Sequence, residues 1–336
     1  MTKVAVIVPN YNHAPYLAQR IDTILAQRFD DFELIILDDA SADDSREVAR
    51  RYSGDRRVRF DFSALNSGNP YRQWRRGLDQ STSDYVWIAE SDDYAEPTLL
   101  EELAAQLDAH PAAGMAVCAS DVVDEAGRFL HRFFDTWHGN RFLAPYIPDF
   151  GDAPLAIEGK VYSRYYMHPW NSIPNASAVL FRRAAFDAIG GPVETLRLCG
   201  DWMTYCRMLM EFDIVRIPGR LNHFRSHDGN VRRRTKASTF VCEAMAVQRY
   251  VEDALDLRVD AGRRRHMRGF MCQALIAPAR RLLDSKVPPS EIGAILANAS
   301  GFGPAILAGT ASILLQEQVS TLARPLINWS GLRRSG

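Results

Sequence analysis

Val4-Ala-Val-Ile-Val8 runs into Pro9-Asn-Tyr-Asn12, and Glu33-Leu-Ile-Ile-Leu37 runs into Asp38-Asp39-Ala-Ser41. Each is a continuous aliphatic run that empties into a polar cluster. A strand buried on both faces reads this way, because neither of its faces needs polar residues. Between the two runs, Leu17, Ile21, Ile24 and Leu25 recur at helical spacing. The alternation continues outward. A helix is expected from about Ser45, a short strand at Val58–Phe60, and a helix through Trp74 and Leu78 after the polar turn Asn66–Pro70. Tyr85–Ala89 reads as a fourth strand ending at Glu90-Ser-Asp-Asp93. Pro97 opens a helix to about Ala109, and Met115–Cys118 reads as a fifth strand. Strands alternating with helices over the first 120 residues predict an α/β fold with a mostly parallel central sheet.

In such sheets ligands bind beyond the carboxyl ends of the strands. Both acidic clusters, at 38–39 and 90–93, fall at strand carboxyl ends. Asp and Ser favour turns, so one cluster would be ordinary punctuation. Two at equivalent ends of one sheet point to a site. The sequence has no GxGxxG after the first strand and no GxxxxGK[ST], so neither a dinucleotide fingerprint nor a P-loop is present.

The balance of charge sharpens the picture. The 336 residues carry 40 Lys and Arg against 41 Asp and Glu, which excludes a uniformly basic nucleic-acid binder. A hydrophobic fraction of 47% excludes a disordered chain. The charge is nonetheless uneven, −9 over residues 1–230 and +8 over 231–336. The basic part opens with Arg232, Arg233, Arg234 and Lys236 and later carries Arg263, Arg264, Arg265 and Arg268. It is expected to be mostly helical, and to meet either an anionic partner or the acidic part of its own chain. No apolar run approaches the ~20 residues of a membrane helix. The N-terminus lacks the basic and long apolar regions of a signal peptide. Five scattered cysteines without a CxxC pair read as reduced thiols, so a cytoplasmic enzyme is expected.

Residues 128–175 differ from the rest. Five prolines and little periodicity mark a long irregular segment, a form usually tied to function. Eleven of the 34 aromatics fall between Phe129 and Trp170, so the segment can offer ring faces to a ligand. Trp137, Tyr166 and Trp170 are the stacking candidates, with a small satellite core as the plain alternative. Asn175–Phe181 reads as a strand, Ala184–Ile189 and Trp202–Phe212 as helices, and Ile214–Ile217 as a strand.

The clusters suggest a chemistry. Tyr11 can stack on a nucleobase and Asp39 can accept from a base imide. Glu90 and Asp92 can hold one Mg²⁺ or Mn²⁺, ions that bind through one or two carboxylates plus phosphate oxygens. Such an ion would offset the charge of a departing diphosphate. A further carboxylate must then deprotonate the attacking nucleophile. Asp201, in Cys199-Gly-Asp-Trp202, is the candidate; Gly200 would let a substrate approach, and Trp202 would wall the site. An Asp before a helical run also reads as an N-cap.

Five motifs together resemble glycosyltransferase family 2. They are Val-Pro-Asn-Tyr-Asn (8–12), Leu-Asp-Asp-Ala-Ser (37–41), Glu-Ser-Asp-Asp (90–93), Gly-Asp-Trp (200–202) and Phe-Arg-Ser-His (224–227). The resemblance spans roughly residues 1–230, in order. It implies a GT-A fold, an inverting mechanism and a UDP-, dTDP- or GDP-activated sugar. It implies that Pro9, Tyr11 and Asp39 line the base pocket, and that Asp92 and His227 lie at the metal. Glu90 would serve ribose or metal, Asp93 would orient its neighbours or touch donor or acceptor, and Asp201 would be the base. Trp137, Tyr166 and Trp170 become acceptor-binding candidates. Glu90 departs from the family's usual Asp. Arg72 and Gln73 would meet the diphosphate. The implied organisation is a GT-A domain over 1–230, with a nucleotide-sugar half (1–120) and an acceptor half (121–230), followed by a basic helical region over 231–336. The implied activity is metal-dependent sugar transfer to a glycan or lipid-linked glycan, in surface polysaccharide synthesis, with peripheral membrane contact through the basic region. A nucleotidyltransferase and a non-catalytic nucleotide-sugar-binding scaffold are the competing readings.

Overall fold

The two aliphatic runs become neighbouring strands because neither has a polar face to show to water. In the computed structural model, which describes residues 2–133, 152–227, 237–281, 296, 299, 306, 308, 310 and 311, they are β1 (Val4–Asn10) and β2 (Phe32–Asp38). They pair in parallel, Val4 against Phe32 through to Asn10 against Asp38. The other strands are β3 (Val58–Phe62), β4 (Tyr85–Ile88), β5 (Tyr94–Ala95), β6 (Ala113–Val123), β7 (Phe129–Arg132), β8 (Leu155–Ile157), β9 (Val179–Arg182) and β10 (Asp213–Arg225). They form one sheet in the order β3-β2-β1-β4-β9-β6-β10-β5, with β7 on β6 and β8 on β10. Six of them, β1 to β4 with β6 and β10, point the same way, so the sheet is mostly parallel. The carboxyl ends of these six lie along one edge.

Three local differences from the sequence reading have physical causes. Pro9 does not end β1 but sits inside it. Pairing with β4 stops at Ile7, so beyond that point one side of β1 needs no N–H from a proline. The segment at 175–181 is not all strand. Ala176–Ala178 is a 3₁₀ turn that precedes β9. The turn is held because the Ser177 carbonyl accepts from Trp87 Nε1 at 2.9 Å and its Oγ from the Glu90 N–H at 3.0 Å. Most consequentially, β9 enters antiparallel between β4 and β6, so the fourth and fifth strands are not neighbours. The strand expected at 175–181 is thus present from Val179 onward, but nothing in its local pattern announces its place between β4 and β6.

The helices are α1 (Ala14–Leu25), α2 (Ser45–Arg50), α3 (Pro70–Leu78), α4 (Leu99–Ala109), α5 (Gly159–Tyr162, continuing into a π-helical turn at Ser163–Met167), α6 (Arg183–Ala188), α7 (Gly200–Leu209), α8 (Ala237–Ala254) and α9 (Ala261–Arg281). Leu17, Ile21 and Ile24 of α1 and Leu99, Leu100, Leu103 and Leu107 of α4 are fully buried with alternate residues of β1 and β2. The chain divides into two compact units, Met1–Asp228 with Val247–Leu257, and Gly229–Ala246 with Arg258–Gly336. All five cysteines are free thiols. Among the described residues no helix is long and apolar enough to cross a membrane.

At the carboxyl ends of β1 and β2 the backbone is pinned by one carboxylate. Asp38 is 1% exposed and accepts from Asn10 Nδ2 (3.0 Å), the Ser41 N–H (3.0 Å) and Arg46 Nε (2.7 Å). The Asp39 N–H returns to the Asn10 carbonyl at 2.9 Å. This lattice holds Ala40 at φ 61°, a left-handed conformation that costs a side-chain-bearing residue about 1–2 kcal/mol.

The packing of α3 on β1 is testable. A Cβ at Gly77 would overlap the Ile7 side chain. Gly77→Ala therefore lowers unfolding free energy by about 1–3 kcal/mol, against the ~1 kcal/mol gain that Ala brings to an unencumbered helix. In an Ile7→Ala background the same change costs less, and a double-mutant cycle from urea unfolding reads the coupling. Asp38 gives a second test. Burial alone would raise its pKa, yet the bonds from Ser41, Arg46 and Asn10 hold it below the ordinary value. The folded state then binds fewer protons than the unfolded one. Asp38 stabilises fully above the unfolded value of ~3.9 and loses that contribution as pH falls through the folded value. Asp38→Asn should cost about 2–3 kcal/mol at pH 7 and progressively less below pH ~4. A deficit independent of pH would exclude this linkage.

Candidate active site

The sheet edge that collects the parallel strand ends also collects the carboxylates. Leaving β4, the chain places Glu90, Ser91, Asp92 and Asp93 in succession, and Ser91 and Asp93 are buried. Asp93 is 1% exposed. Its Oδ1 accepts the Arg225 N–H at 2.9 Å, and its Oδ2 accepts from Asn175 Nδ2. The same Asn175 amide donates to Glu90 Oε2 at 2.8 Å. Burial, then the charge of Asp92, pushes the Asp93 carboxyl up to about 7. Burial, then Asp93, Asp92 and Asp201, raises Glu90 well above the carboxylate range. Asp92 goes the other way. Burial would raise it, but His227 Nε2 at 2.9 Å from its Oδ2, together with His13, holds it low. Asp92 is thus the member of the cluster that keeps its charge.

His13, Asp92 and His227 form a group whose ligand atoms all lie within 4.8 Å of one another. Two nitrogens and one carboxylate oxygen at this spacing suit a divalent cation with positions left for phosphate oxygens. Glu90 is not a member of this group and is turned toward Asn175. His13 precedes α1 at its N-cap position, and its Nδ1 lies 2.8 Å from Ser91 Oγ. The imidazoles of His13 and His227 are 5.4 Å apart and nearly perpendicular. Tyr16 lies 4.9 Å from the His227 ring.

Asp201 occupies the first turn of α7, where Cys199 rather than Asp201 takes the N-cap position. Its Oδ1 accepts from Tyr71 Oη at 3.4 Å and its Oδ2 from Asn171 Nδ2 at 3.3 Å. Burial, first of all, raises the Tyr71 phenol well above its ordinary value, so it stays a donor. Gly200 does not leave room for a substrate. A Cβ there would overlap the Tyr71 ring and meet the Val193 carbonyl at 2.7 Å. Trp202 is not a wall of the site either; it is 1% exposed and donates to the Met167 carbonyl at 2.9 Å.

At the carboxyl end of β2, Asp39 is buried and receives Gln73 Nε2 (2.7 Å), the Ser67 N–H (2.9 Å) and Ser67 Oγ (2.8 Å). Tyr11 is 47% exposed beside it on the chain leaving β1, Pro9 is half-buried, and exposed Arg72 reaches the Ser67 carbonyl at 3.3 Å. Of the aromatic candidates, Trp137 lies outside the described residues and Trp170 is 2% exposed. Half-buried Tyr166 tilts against Tyr162 at 5.2 Å.

Sequence reasoning did not single out His13, Arg20, Asn175 or Arg225. For Arg20 a signal existed. It shares the helical spacing of Leu17, Ile21 and Ile24, and a charged residue at a core position asks for a partner. It is fully buried, with its guanidinium 4.7 Å from the Trp87 ring centroid.

Residues 5–168 match the family described as glycosyl transferase family 2. The chain is 30% identical over 112 residues to the poly(ribitol-phosphate) β-N-acetylglucosaminyltransferase TarS of Staphylococcus aureus (strain Mu50 / ATCC 700699), a stretch covering 33% of this chain and 20% of TarS. It is 38% identical over 107 residues to TarP of Staphylococcus aureus (strain N315), covering 31% of this chain and 32% of TarP. The matched stretch thus spans a third or less of either relative. The crystal structure of S. aureus TarS 1–349 in complex with UDP-GlcNAc superposes with a TM-score of 0.60 at 18% identity, over 90% of this chain and 81% of that one. The mannosyltransferase PcManGT from Pyrobaculum calidifontis, in complex with GDP-Man and Mn²⁺, gives 0.55 at 17% identity, over 98% and 84%. Residues 5–168 are therefore a glycosyl transferase family 2 domain, carried on a GT-A fold.

Proposed function

We propose that the chain is an inverting glycosyltransferase that moves a sugar from a nucleoside-diphosphate donor to a hydroxyl of a glycan acceptor. The observation that carries this reading is the convergence, at one sheet edge, of the Asp39 pocket, the 90–93 carboxylates and Asp201. UDP-GlcNAc in the TarS structure and GDP-Man in PcManGT support the donor class. Tyr11, with Pro9, would cover the base and Asp39 would accept from it, while Arg72 stands exposed at the rim for a phosphate. Asp92 and His227 would hold a divalent cation, whose contribution is to offset the charge gathering on the diphosphate.

Inversion is a single displacement. The acceptor oxygen bonds to the anomeric carbon as the bond to the diphosphate breaks, and the hydroxyl proton passes to a carboxylate. Asp201 would be that carboxylate. Tyr71 and Asn171 fix one oxygen each by bonds of 3.3–3.4 Å, long enough to leave acceptor capacity for the incoming proton. Glu90 beside it is raised well above the carboxylate range by burial and its acidic neighbours and is turned toward Asn175. Intact carboxylates at 92 and 201 speak against a purely binding scaffold, and Pro9-Asn-Tyr-Asn12 is not the Gly-rich, basic loop of a nucleotidyltransferase. The acceptor is taken to be a lipid-linked glycan of surface polysaccharide synthesis. Arg264, Arg265 and Arg268 are exposed on α9, where each would add about 1 kcal/mol of attraction to an anionic membrane.

Asp201→Asn is the test of the chemistry. Transfer and donor hydrolysis, read as nucleoside diphosphate released from a panel of nucleotide sugars, should fall by about 10²–10⁴-fold. Tm and donor affinity should stay close to the parent. Transfer within a few-fold of the parent would give the proton to another carboxylate. The membrane contact is tested by flotation with anionic vesicles. Binding at low salt that fades at high salt is expected, and no binding at low salt removes the contact.

A further inference from the structure

We infer that His13 is a third protein ligand to the divalent cation, so that the site is two imidazoles and one carboxylate, selective for Mn²⁺-type ions over Mg²⁺. The inference rests on the reading above, in which Asp92 and His227 hold the ion. Three observations carry it.

The first is distance. Asp92 Oδ2 and His227 Nε2 are 2.9 Å apart, and the ligand atoms of His13, Asp92 and His227 all fall within 4.8 Å. Donors bound at about 2.1 Å to one ion, at angles of ~90–110°, are separated by roughly 3–3.5 Å, so small rotations bring all three onto a common centre. The second is ring disposition. Two imidazoles on one ion at such angles hold their centroids about 5 Å apart, and His13 and His227 stand 5.4 Å apart with their planes at 84°. Edge-to-face ring packing shares this geometry, so the disposition is one that a common ion can use without a large turn of either ring.

The third is the support behind His13. Its Nδ1 lies 2.8 Å from Ser91 Oγ, and Ser91 is 2% exposed. A metal-binding imidazole is characteristically fixed by a hydrogen bond at its other nitrogen. With Nε2 of His13 as the proposed ligand atom, that bond comes from the residue between Glu90 and Asp92, so the same turn presents the carboxylate ligand and orients the imidazole ligand. The backbone of His13 is held too. Its carbonyl accepts from the Tyr16 and Leu17 N–H groups, and the Ala14 N–H is taken by Asp43 Oδ2 at 2.9 Å. The side chain therefore leaves a fixed point at the start of α1.

Ion selectivity follows from the donor set. Mg²⁺ takes oxygen ligands and sheds water reluctantly. Imidazole suits transition ions. Two imidazoles and one carboxylate leave about three positions of an octahedron open, enough for two diphosphate oxygens and one water. Moving Glu90 out of the set removes the second carboxylate that a Mg²⁺ site would favour.

The experiment measures binding, not turnover. Mn²⁺ is titrated into the full chain by EPR, alone and with UDP or GDP, with Mg²⁺ as competitor. Electron spin echo modulation of bound Mn²⁺ then counts coupled imidazole nitrogens. The parent should bind Mn²⁺ in preference to Mg²⁺ and show two nitrogens, a result that depends on no variant. His13→Ala and His13→Asn should lose at least about tenfold in Mn²⁺ affinity, lose less for Mg²⁺, and show one nitrogen at an unchanged fold by circular dichroism. One nitrogen in the parent, or unaltered Mn²⁺ affinity in both variants, overturns the inference while leaving Asp92 and His227 as ligands. Mn²⁺ binding that is absent in the parent or indifferent to Asp92→Asn overturns the metal reading itself.

Discussion

Charge crowding at the end of β4 is the constraint from which much of the structure follows. Glu90, Asp92 and Asp93 leave a buried strand within four residues, and Asp201 lies close enough to add to their repulsion. Burying an ion costs several kcal/mol unless an opposite charge or hydrogen bonds offset it. The protein answers in three ways. Glu90 and Asp93 shift toward their neutral forms, so the cluster does not hold its full formal charge. Asp92 keeps its charge beside His227. Arg20 then supplies a fixed cation on the helix side. Burial lowers its pKa to about 10, while Asp93, Glu90 and Asp92 pull it back up, and it remains charged. The Trp87 ring face supplies a further attraction.

The same constraint explains why β10 is thirteen residues long. Beyond Ile217 the strand carries β5 and the second half of β6, and it also brings what the cluster needs. Arg225 gives its N–H to Asp93 and its Nε to the Asp92 carbonyl at 2.7 Å, and it reaches the Asp124 and Glu125 carbonyls and Gln19 Oε1. One side chain ties the acidic turn to α1 and to the loop after β6. Register shifts between Ile217 and Asn222 let β10 follow β6 over this length. At those shifts Asn222 Nδ2 donates to Ser120 Oγ and to Asn175 Oδ1. Asn175 passes the connection on to Glu90 and Asp93. A buried polar chain thus runs from two strands into the cluster, and buried networks of this kind rigidify when their bonds are made.

What the sequence disclosed follows the range of the interactions. β1, β2, β3 and β4 and the helices between them were legible because each is coded by its own period and ended by its own polar cluster. The fold class followed from their alternation. The acidic clusters were legible as a site because the topology of parallel sheets dictates where a strand end must lie. β9 was legible as a strand but not in its place, since Val179–Arg182 owes its antiparallel insertion to partners on β4 and β6 rather than to its own pattern. His13 was passed over for a similar reason. Its neighbours in space, Ser91 and His227, stand 78 and 214 positions away along the chain. Gly200 was read as space for a substrate, whereas the Tyr71 ring fills that space; a glycine marks close approach without saying of what.

That misreading of Gly200 leads to how the two sides of the site keep their spacing. Asn69 caps α3 through the Tyr71 N–H and donates its amide to the Glu194 carbonyl at 2.8 Å. Two residues on, Tyr71 lies on Gly200 and reaches Asp201. Gln73 turns to Asp39 on the opposite side, and Gly77 sits on Ile7 of β1. One helix of nine residues therefore touches Asp39, the proposed base and β1. A displacement acts on a transferring centre with steep penalties in rate, since reacting groups must stay within about 3–3.5 Å. Setting both carboxylates from one rigid element holds them at a constant separation, and the glycines at 77 and 200 are where that element is permitted to come close enough to do it.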